Sequence, residues 1–232
     1  MSEILKADQL TKRYGGLFAL DHVDLSLERG RIVGLLGPNG SGKTTLLKIA
    51  AGLLSPSEGE LTIDGEMPGK STKRVVAYLP DRPVCSKSIR VRDLVKKLDD
   101  FFDDFDRDQA LQLLSEMDID LDKRFKELSK GTIDKVQIVL TMSRKAALYL
   151  LDEPIGGVDP AARELIIKTI INNYNPEATV VIATHLIADV EPVLDDVVFL
   201  KQGHIVLHQD VDGLRAEREK SVDEIFREVF SC

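Results

Sequence analysis

The most constraining feature of the sequence is a glycine-rich loop at residues 37–44, which reads GPNGSGKT and fits the pattern G-x-x-x-x-G-K-[ST]. The short apolar run 32–36 before it predicts a buried strand, and the run 45–51 after it predicts a helix. A strand, a tight turn and a helix in this order aim backbone N–H groups and the positive end of a helix dipole at one anion. A glycine-rich turn that ends in Lys-Thr by chance would have no reason to lie between a buried strand and a helix. The loop therefore predicts a phosphate site and nucleotide binding.

The residue types of this loop suit contact with a polyphosphate. Glycines let the backbone turn tightly and approach phosphate closely. Lys43 can reach the β- and γ-phosphates, and the hydroxyl of Thr44 can be a ligand of Mg²⁺. The predicted nucleotide-binding residues of this segment are Gly37, Pro38, Asn39, Gly40, Ser41, Gly42, Lys43, Thr44 and Thr45.

Composition excludes several other classes of protein. The chain has 232 residues and a net charge of −8, so it lacks the positive surface expected of a general nucleic-acid binder and is poorly suited to anionic membranes. No apolar run approaches the ~20 residues of a membrane-spanning helix, and the N-terminus shows no signal-peptide pattern. Two cysteines, Cys85 and Cys232, make no disulfide framework. We expect a cytoplasmic chain with no nucleic-acid partner and no direct membrane insertion.

Short strand-like runs alternate with longer helix-like runs, which predicts an α/β architecture. Residues 82–144 are helix-rich and carry an acidic run that we expect to form a solvated face. The phenylalanines within that run, Phe101, Phe102 and Phe105, are predicted to be local core, and a docking surface is the alternative. Strands are predicted as a pair at 4–27 joined at Gly15–Gly16, and at 59–64, 75–79, 148–151 and 180–183, and a short amphipathic helix at 221–230.

Polar residues follow two of these strands. Asp152 and Glu153 come directly after the apolar run 148–151, and His185 ends the run that begins at residue 180. Ligands of open α/β sheets lie at the carboxyl ends of the strands. Asp152 is therefore predicted to hold Mg²⁺, directly or through water, and Glu153 to polarise an attacking water. His185 is either an ordinary structural histidine or a γ-phosphate contact.

The segment 128–132, LSKGT, precedes a further helix-like run. Ser129 can cap that helix, and nothing more is needed to explain it. The alternative is a second phosphate site at the helix N-terminus.

In this order the motifs resemble those of the ATP-binding subunits of ABC transporters, over about residues 3–215. LSKGT resembles the family signature LSGGQ and departs from it at Lys130 and Thr132. Residues 156–159, GGVD, resemble the family's D-loop with Asp159 as its acidic residue. His185 falls at the switch histidine that contacts the γ-phosphate, and Tyr14 at the aromatic residue that stacks on adenine.

The resemblance implies a P-loop NTPase core with an antiparallel β subdomain and a helical insert subdomain, all within one domain, 1–232. The core with its β subdomain would take about 1–81 and 145–210, the helical subdomain about 82–144, and a helical tail about 211–232. The resemblance also implies a head-to-tail dimer in which Ser129 and Gly131 face the nucleotide bound by the other subunit.

Activity and partners follow from the same resemblance. It implies ATP and Mg²⁺ as cofactors, ATP hydrolysis with Glu153 and His185 as catalytic residues, and a transmembrane permease that holds the chain at the inner face of the cell membrane. The compact length, the tail S-x-x-E-x-F at 221–226 and the stretch FDDFD at 102–106 favour exporters of the ABC-2 type. Two alternatives stay open: a soluble ABC ATPase outside transport, and a nucleotide-gated dimerisation module without hydrolysis.

One metal-related position departs from the family. The family usually has Gln in a pattern Tyr-x-x-Gln, whereas this chain has Tyr78-Leu79-Pro80-Asp81. Carboxylate oxygen suits a hard cation, so we predict that Asp81 still meets Mg²⁺ or its water shell, together with Thr44 and Asp152.

Overall fold

The strands of the chain form two separate sheets. The computed structural model describes residues 2–83 and 85–230. The strands are β1 (Glu3–Tyr14), β2 (Leu17–Glu28), β3 (Ile32–Leu36), β4 (Glu58–Ile63), β5 (Val76–Leu79), β6 (Leu148–Asp152), β7 (Thr179–Thr184), β8 (Asp196–Lys201) and β9 (His204–Asp210). The smaller sheet has the order β2-β1-β4, and the larger has the order β5-β6-β7-β3-β8-β9.

The helices surround the larger sheet and build a separate insert beside it. They are α1 (Lys43–Ala50), α2 (Val91–Phe101), α3 (Arg107–Glu116), α4 (Lys130–Met142), α5 (Pro160–Asn173), α6 (Ile187–Val190), α7 (Val211–Arg218) and α8 (Val222–Phe230). None of the helices within the described residues combines the length and the apolar character needed to cross a bilayer.

The small sheet is antiparallel and confirms the predicted strand pair. β1 and β2 join at Gly15–Gly16, and β4 pairs with the other edge of β1. Side chains of β1 and β2 largely alternate between buried and exposed, as expected when one face packs on a core and the other meets water. Its apolar face packs against one face of the large sheet, through Leu5 and Leu25 on one side and Val33 and Leu35 on the other.

The large sheet is parallel from β5 to β8, with β9 antiparallel at its edge. All residues of β3, β6 and β7 are buried, because these central strands are covered on both faces. The predicted strands at 59–64, 75–79, 148–151 and 180–183 are confirmed to within one residue at each end, whereas β8 and β9 were not predicted. The predicted α/β class, with a separate antiparallel sheet and a helical insert, is confirmed.

The insert of α2, α3 and α4 has an apolar cluster of its own. Val91, Leu114 and Val136 are fully buried in it. Phe105 is buried there as predicted, but the prediction that Phe101 is local core is wrong, because its side chain is 78% exposed. Phe101 is the last residue of α2 and lies beyond the face of that helix that packs on the cluster.

Arg144 joins this insert to the large sheet. Its guanidinium donates to the Asp104 carboxylate at 2.9 Å and to the Val76 carbonyl at 2.9 Å, and it lies 3.8 Å from the centre of the Phe102 ring. A buried charge is stable only when its donors are satisfied, and this one has a carboxylate, backbone carbonyls and an aromatic face. These contacts of Arg144 hold the insert of α2, α3 and α4 against β5, the strand that precedes Asp81.

The C-terminal helices pack on the large sheet through a buried carboxylate. Glu191 accepts hydrogen bonds from the Val222 N–H at 2.9 Å, the Asp223 N–H at 3.2 Å and the Arg215 guanidinium at 2.8 Å. Burial alone would raise the pKa of Glu191, but the hydrogen bonds and the charge of Arg215 outweigh it and hold the pKa below its ordinary value. The ionised form therefore stabilises the start of α8.

We expect Glu191→Gln to destabilise the chain by about 1–2 kcal/mol at pH 7, because the amide brings one acceptor oxygen and no charge to three donors. Since the folded-state pKa of Glu191 lies below its unfolded value of ~4.3, the carboxylate stabilises the fold above that pH and stops doing so as the pH falls through the folded pKa. Urea unfolding of parent and variant should thus show a gap at pH 7 that narrows below pH 4. A gap independent of pH would contradict this role.

Candidate nucleotide-binding site

Three central strands deliver polar residues to one edge of the large sheet. In the register of the parallel strands, Leu36 of β3 lies beside Thr184 of β7, and Asp152 of β6 lies beside Ala183. The glycine-rich loop, Asp152 with Glu153, and Thr184 with His185 therefore end at the same place. The structure brings these groups together, although Thr44 of the loop and Asp152 lie 108 residues apart in sequence.

The loop between β3 and α1 is sterically fitted to glycine at two positions. Gly42 has φ +114°, and a side chain there would overlap the carbonyl of Ala19. A side chain at Gly37 would overlap the carbonyl of Leu200. The loop thus passes directly against β2 and β8, and α1 begins at Lys43 with its N–H groups facing the cleft edge of the sheet.

The loop borders a cleft of about 480 Å³, lined by Ala19, residues 39–45, Asp81, Lys130, Glu153, Gly156, Gly157 and His185. Within it, the hydroxyl oxygen of Ser41 is buried and has no hydrogen-bond partner among the described residues. An unpaired buried hydroxyl is costly unless a ligand or water satisfies it. This orphan group and the helix N-terminus fit the binding of an anion of polyphosphate size.

Lys43 is the buried cation of the cleft. Its ammonium donates to the Gly37 carbonyl at 2.6 Å and to the Pro38 carbonyl at 3.3 Å, and it lies 3.5 Å from Oε1 of Glu153. Burial lowers the pKa of Lys43, and the negative charge of Glu153 opposes that shift. The ammonium is thus held inside the loop by two neutral carbonyls and one carboxylate.

Thr44 and Asp152 form the predicted metal pair. The Thr44 hydroxyl donates to Oδ1 of Asp152 at 3.0 Å, and the Tyr78 hydroxyl lies 3.5 Å from Oδ2. Burial raises the pKa of Asp152, and the hydrogen bond from Thr44 opposes that shift. Within residues 2–83 and 85–230, no three His, Cys, Asp or Glu side chains cluster to hold a metal alone. The pair fits Mg²⁺, which takes few protein ligands and completes its shell with water and phosphate oxygen.

Glu153 sits at a strained backbone position and is oriented by two neighbours. Its φ is +51°, in the left-handed region that non-glycine residues seldom adopt. The Thr184 hydroxyl donates to its carboxylate at 3.1 Å, and Nδ1 of His185 lies 3.0 Å from Oε2. The side chain is therefore aimed at the cleft beside Lys43, where a general base for water would have to lie.

Asp81 lies at the rim of the same cleft. Its side chain is 56% exposed, and its nearest cation is Arg82, with Nε 3.8 Å from Oδ2. It acts on Asp152 through space, because its negative charge adds to the raised pKa of Asp152. No contact joins Asp81 to Thr44, so its metal role stays a prediction.

The other predicted residues lie outside the cleft. Tyr14 ends β1 and is half exposed, with the Lys12 ammonium 5.5 Å from its ring centre. Ser129 caps α4 as predicted, its hydroxyl accepting from the Thr132 N–H at 3.1 Å, and Gly131 lies in the first turn of that helix. Asp159 caps α5.

Sequence reasoning missed several residues that line the cleft or orient its groups: Ala19, Tyr78, Lys130, Gly156, Gly157 and Thr184. Thr184 could have been found, since it directly precedes His185 at the end of a strand. Ala19 could not, because only the tertiary approach of β2 brings it to the loop. Lys130 was noticed only as a departure from a motif.

The chain is similar to known proteins over nearly all its length. The family model described as "ABC transporter" matches residues 20–156, more than half of the chain. A lantibiotic transport ATP-binding protein, SrtF of Streptococcus pyogenes, is 28% identical and covers 96% of both chains. The ABC transporter ATP-binding protein YtrB of Bacillus subtilis is 30% identical, over 92% of this chain and 74% of that one. A solved ATP-binding subunit of an ABC transporter superimposes with a TM-score of 0.87 at 27% identity, covering 97% and 99%.

We expect Asp81→Ala to raise the Mg²⁺ concentration for half-maximal ATP hydrolysis by roughly threefold to tenfold, because a carboxylate near the triphosphate would otherwise add an oxygen ligand or hold the water shell. Asp81→Gln should restore much of the loss. ATPase rates measured against Mg²⁺ decide this, with Asp100→Ala, which removes an exposed carboxylate of α2, as the control. Equal Mg²⁺ dependence in parent and both Asp81 variants would remove Asp81 from the metal site.

Proposed function

The chain belongs to the family of ABC transporter ATP-binding proteins, and on that premise we propose that it binds and hydrolyses ATP to energise a separate membrane permease. The reaction is ATP and water to ADP and phosphate. One observation carries the proposal: Lys43, the Thr44–Asp152 pair and the Glu153–His185 pair meet at one cleft.

The loop would bind the phosphates. Backbone N–H groups at the start of α1 and the buried Ser41 hydroxyl are donors available to phosphate. To bind phosphate, the Lys43 ammonium would give up its contacts with the loop carbonyls and with Glu153. A charged acceptor forms stronger hydrogen bonds than a neutral carbonyl, so phosphate oxygen competes well for the ammonium. Bound Mg²⁺ would neutralise phosphate charge, and Thr44 and Asp152 are the residues that would hold it.

Glu153 would accept the proton of the attacking water. Its orientation by Thr184 and His185 fixes the carboxylate before any substrate arrives, which lowers the entropy cost of the reaction. His185 is 42% exposed, so it can both hold Glu153 and reach a phosphate group in the cleft.

The dimer belongs to the proposal as well. Ser129 and Gly131 at the start of α4, and Asp159 at the start of α5, do not line the cleft of the chain's own loop, and a head-to-tail partner would bring its nucleotide to them. Tyr14 would stack on adenine. The predicted division at about residues 81, 144 and 210 gives this dimer a nucleotide-binding core, a helical subdomain and a tail.

Transport is the proposed use of the ATP, through a transmembrane permease that would hold the chain at the inner face of the membrane. The relatives named for transport support this. Export is the proposed direction, on the tail S-x-x-E-x-F and the stretch FDDFD, and the relative named for lantibiotic transport fits it.

Lys43→Ala should weaken ATP binding roughly 10- to 100-fold, because it removes one charged hydrogen-bond donor to phosphate. Binding is measured by calorimetry with MgATP. Lys48→Ala, which removes an exposed lysine from the same helix, is the matched control and should bind as the parent does. Parent-like affinity of Lys43→Ala would overturn the assignment of the loop.

Glu153→Gln should slow ATP turnover by ~10²–10⁴-fold while ATP still binds, since the amide keeps the shape and cannot take a proton. It should also trap an ATP-bound dimer that elutes earlier in size-exclusion chromatography. Glu164→Gln, on the exposed side of α5, is the control. Near-normal turnover of Glu153→Gln would remove Glu153 from the mechanism, and phosphate release by the parent separates an ATPase from a non-hydrolysing module.

A further inference from the structure

A second lysine borders the cleft of its own chain. Lys130 is the first residue of α4, and its side chain reaches back to the turn that follows Glu153, where its ammonium lies 3.4 Å from the Gly156 carbonyl. It lines the same cleft as the glycine-rich loop. Its flanking residues, Ser129 and Gly131, do not line that cleft. At the start of α4, Lys130 therefore borders this cleft, whereas its neighbours Ser129 and Gly131 do not.

The turn leaves room for this ammonium because it contains glycine. A side chain at Gly157 would overlap Nζ of Lys130, and Gly157 also has φ +76°. The hydrogen bond from the Lys130 ammonium to the Gly156 carbonyl is long, at 3.4 Å, and its acceptor is neutral. The ammonium is therefore positioned at the cleft without being committed to a strong partner.

Apart from Lys130, the charged side chains around the cleft are mostly negative. Asp152, Glu153 and Asp81 bring three carboxylates, and Lys43 is the buried cation among them. Asp81 stands where the family usually has a neutral amide, and Lys130 stands where the family signature has glycine. The two departures are opposite in charge and border the same cleft.

Asp134 lies within the electrostatic reach of both Lys130 and Asp81. It lies one helical turn after Lys130, and its Oδ2 is buried without a hydrogen-bond partner among the described residues. Burial raises the pKa of Asp134, the charge of Lys130 opposes that shift, and the charge of Asp81 adds to it. Lys130 and Asp81 therefore influence one carboxylate with opposite sign.

We propose that Lys130 binds the phosphates of the nucleotide held by its own chain, and that its charge offsets that of Asp81. This proposal rests on the proposed function and deepens it, because residues at the start of α4 would contact two different nucleotides. Ser129 and Gly131 would contact the nucleotide bound by the other subunit, and Lys130 would contact the nucleotide bound by its own chain. A cation over a polyanion gains most where a nearby carboxylate would otherwise repel the ligand.

The test measures nucleotide affinity in the monomer. Binding of ADP is followed by calorimetry in EDTA, at protein concentrations where light scattering shows a single chain, so that neither Mg²⁺ nor a partner contributes. Lys130→Gln removes the charge and leaves a polar, slightly shorter side chain, and should weaken ADP binding roughly threefold to tenfold. Lys130→Arg should restore most of the affinity. Lys135→Gln, on the same helix but away from the cleft, is the matched control and should change nothing.

The link to Asp81 is tested by a double-mutant cycle. Asp81→Gln alone should strengthen ADP binding in EDTA, because it removes a repulsive charge. The double variant Asp81→Gln with Lys130→Gln should bind more tightly than the product of the two single effects predicts, because Lys130 has less repulsion to offset once Asp81 is neutral and Asp81 repels the ligand more strongly once Lys130 is gone. Strictly multiplicative effects would contradict the compensation.

The outcomes separate the two proposals. If Lys43→Ala weakens nucleotide binding and Lys130→Gln leaves the affinity of the monomer unchanged, the proposed function stands and the role of Lys130 in cis is overturned. The same holds if Lys130→Gln impairs only ATP-driven dimerisation, which would place Lys130 beside Ser129 in trans. If Lys43→Ala also binds as the parent does, the proposed function itself fails.

Discussion

The structure depends on keeping one ammonium, that of Lys43, inside the protein. A charge removed from water is tolerated only when nearby acceptors replace its hydration. Two carbonyls of the glycine-rich loop and the Glu153 carboxylate do so here. The loop must curl around the ammonium to present those carbonyls, which is why Gly37 and Gly42 press against neighbouring backbone where no side chain fits.

The same requirement explains why three strands end together. β3 supplies the loop, β6 supplies Asp152 and Glu153, and β7 supplies Thr184 and His185, so the acceptors and the groups that orient them converge on one buried cation. Glu153 reaches it only from a left-handed backbone conformation. Strain of this kind persists where the surroundings over-determine it, and such places are often functional. An anion that binds the Lys43 ammonium would replace Glu153 as its ion-pair partner.

The sequence predicted those parts that depend on local pattern. The loop, Asp152 and Glu153 after a buried strand, and the capping role of Ser129 follow from spacing and residue type. Features set by tertiary approach were beyond it. Phe101 is one of three phenylalanines that the sequence predicts to be local core, yet at the end of α2 it is exposed to water. Lys130 reaches the cleft only because the turn at Gly157 leaves space for it, and Arg144 joins the insert to β5 across segments far apart in sequence.

In the proposed function, phosphate replaces the loop carbonyls and Glu153 as the partner of Lys43. A crystal structure of the parent chain with Mg²⁺ and a non-hydrolysable ATP analogue would reveal this exchange. We expect Nζ of Lys43 to leave the Gly37 carbonyl, from which it now lies 2.6 Å, and to contact phosphate oxygen, while the Thr44 and Asp152 oxygens meet the metal. Phosphates bound elsewhere, or an ammonium still on the Gly37 carbonyl with nucleotide in the cleft, would contradict it.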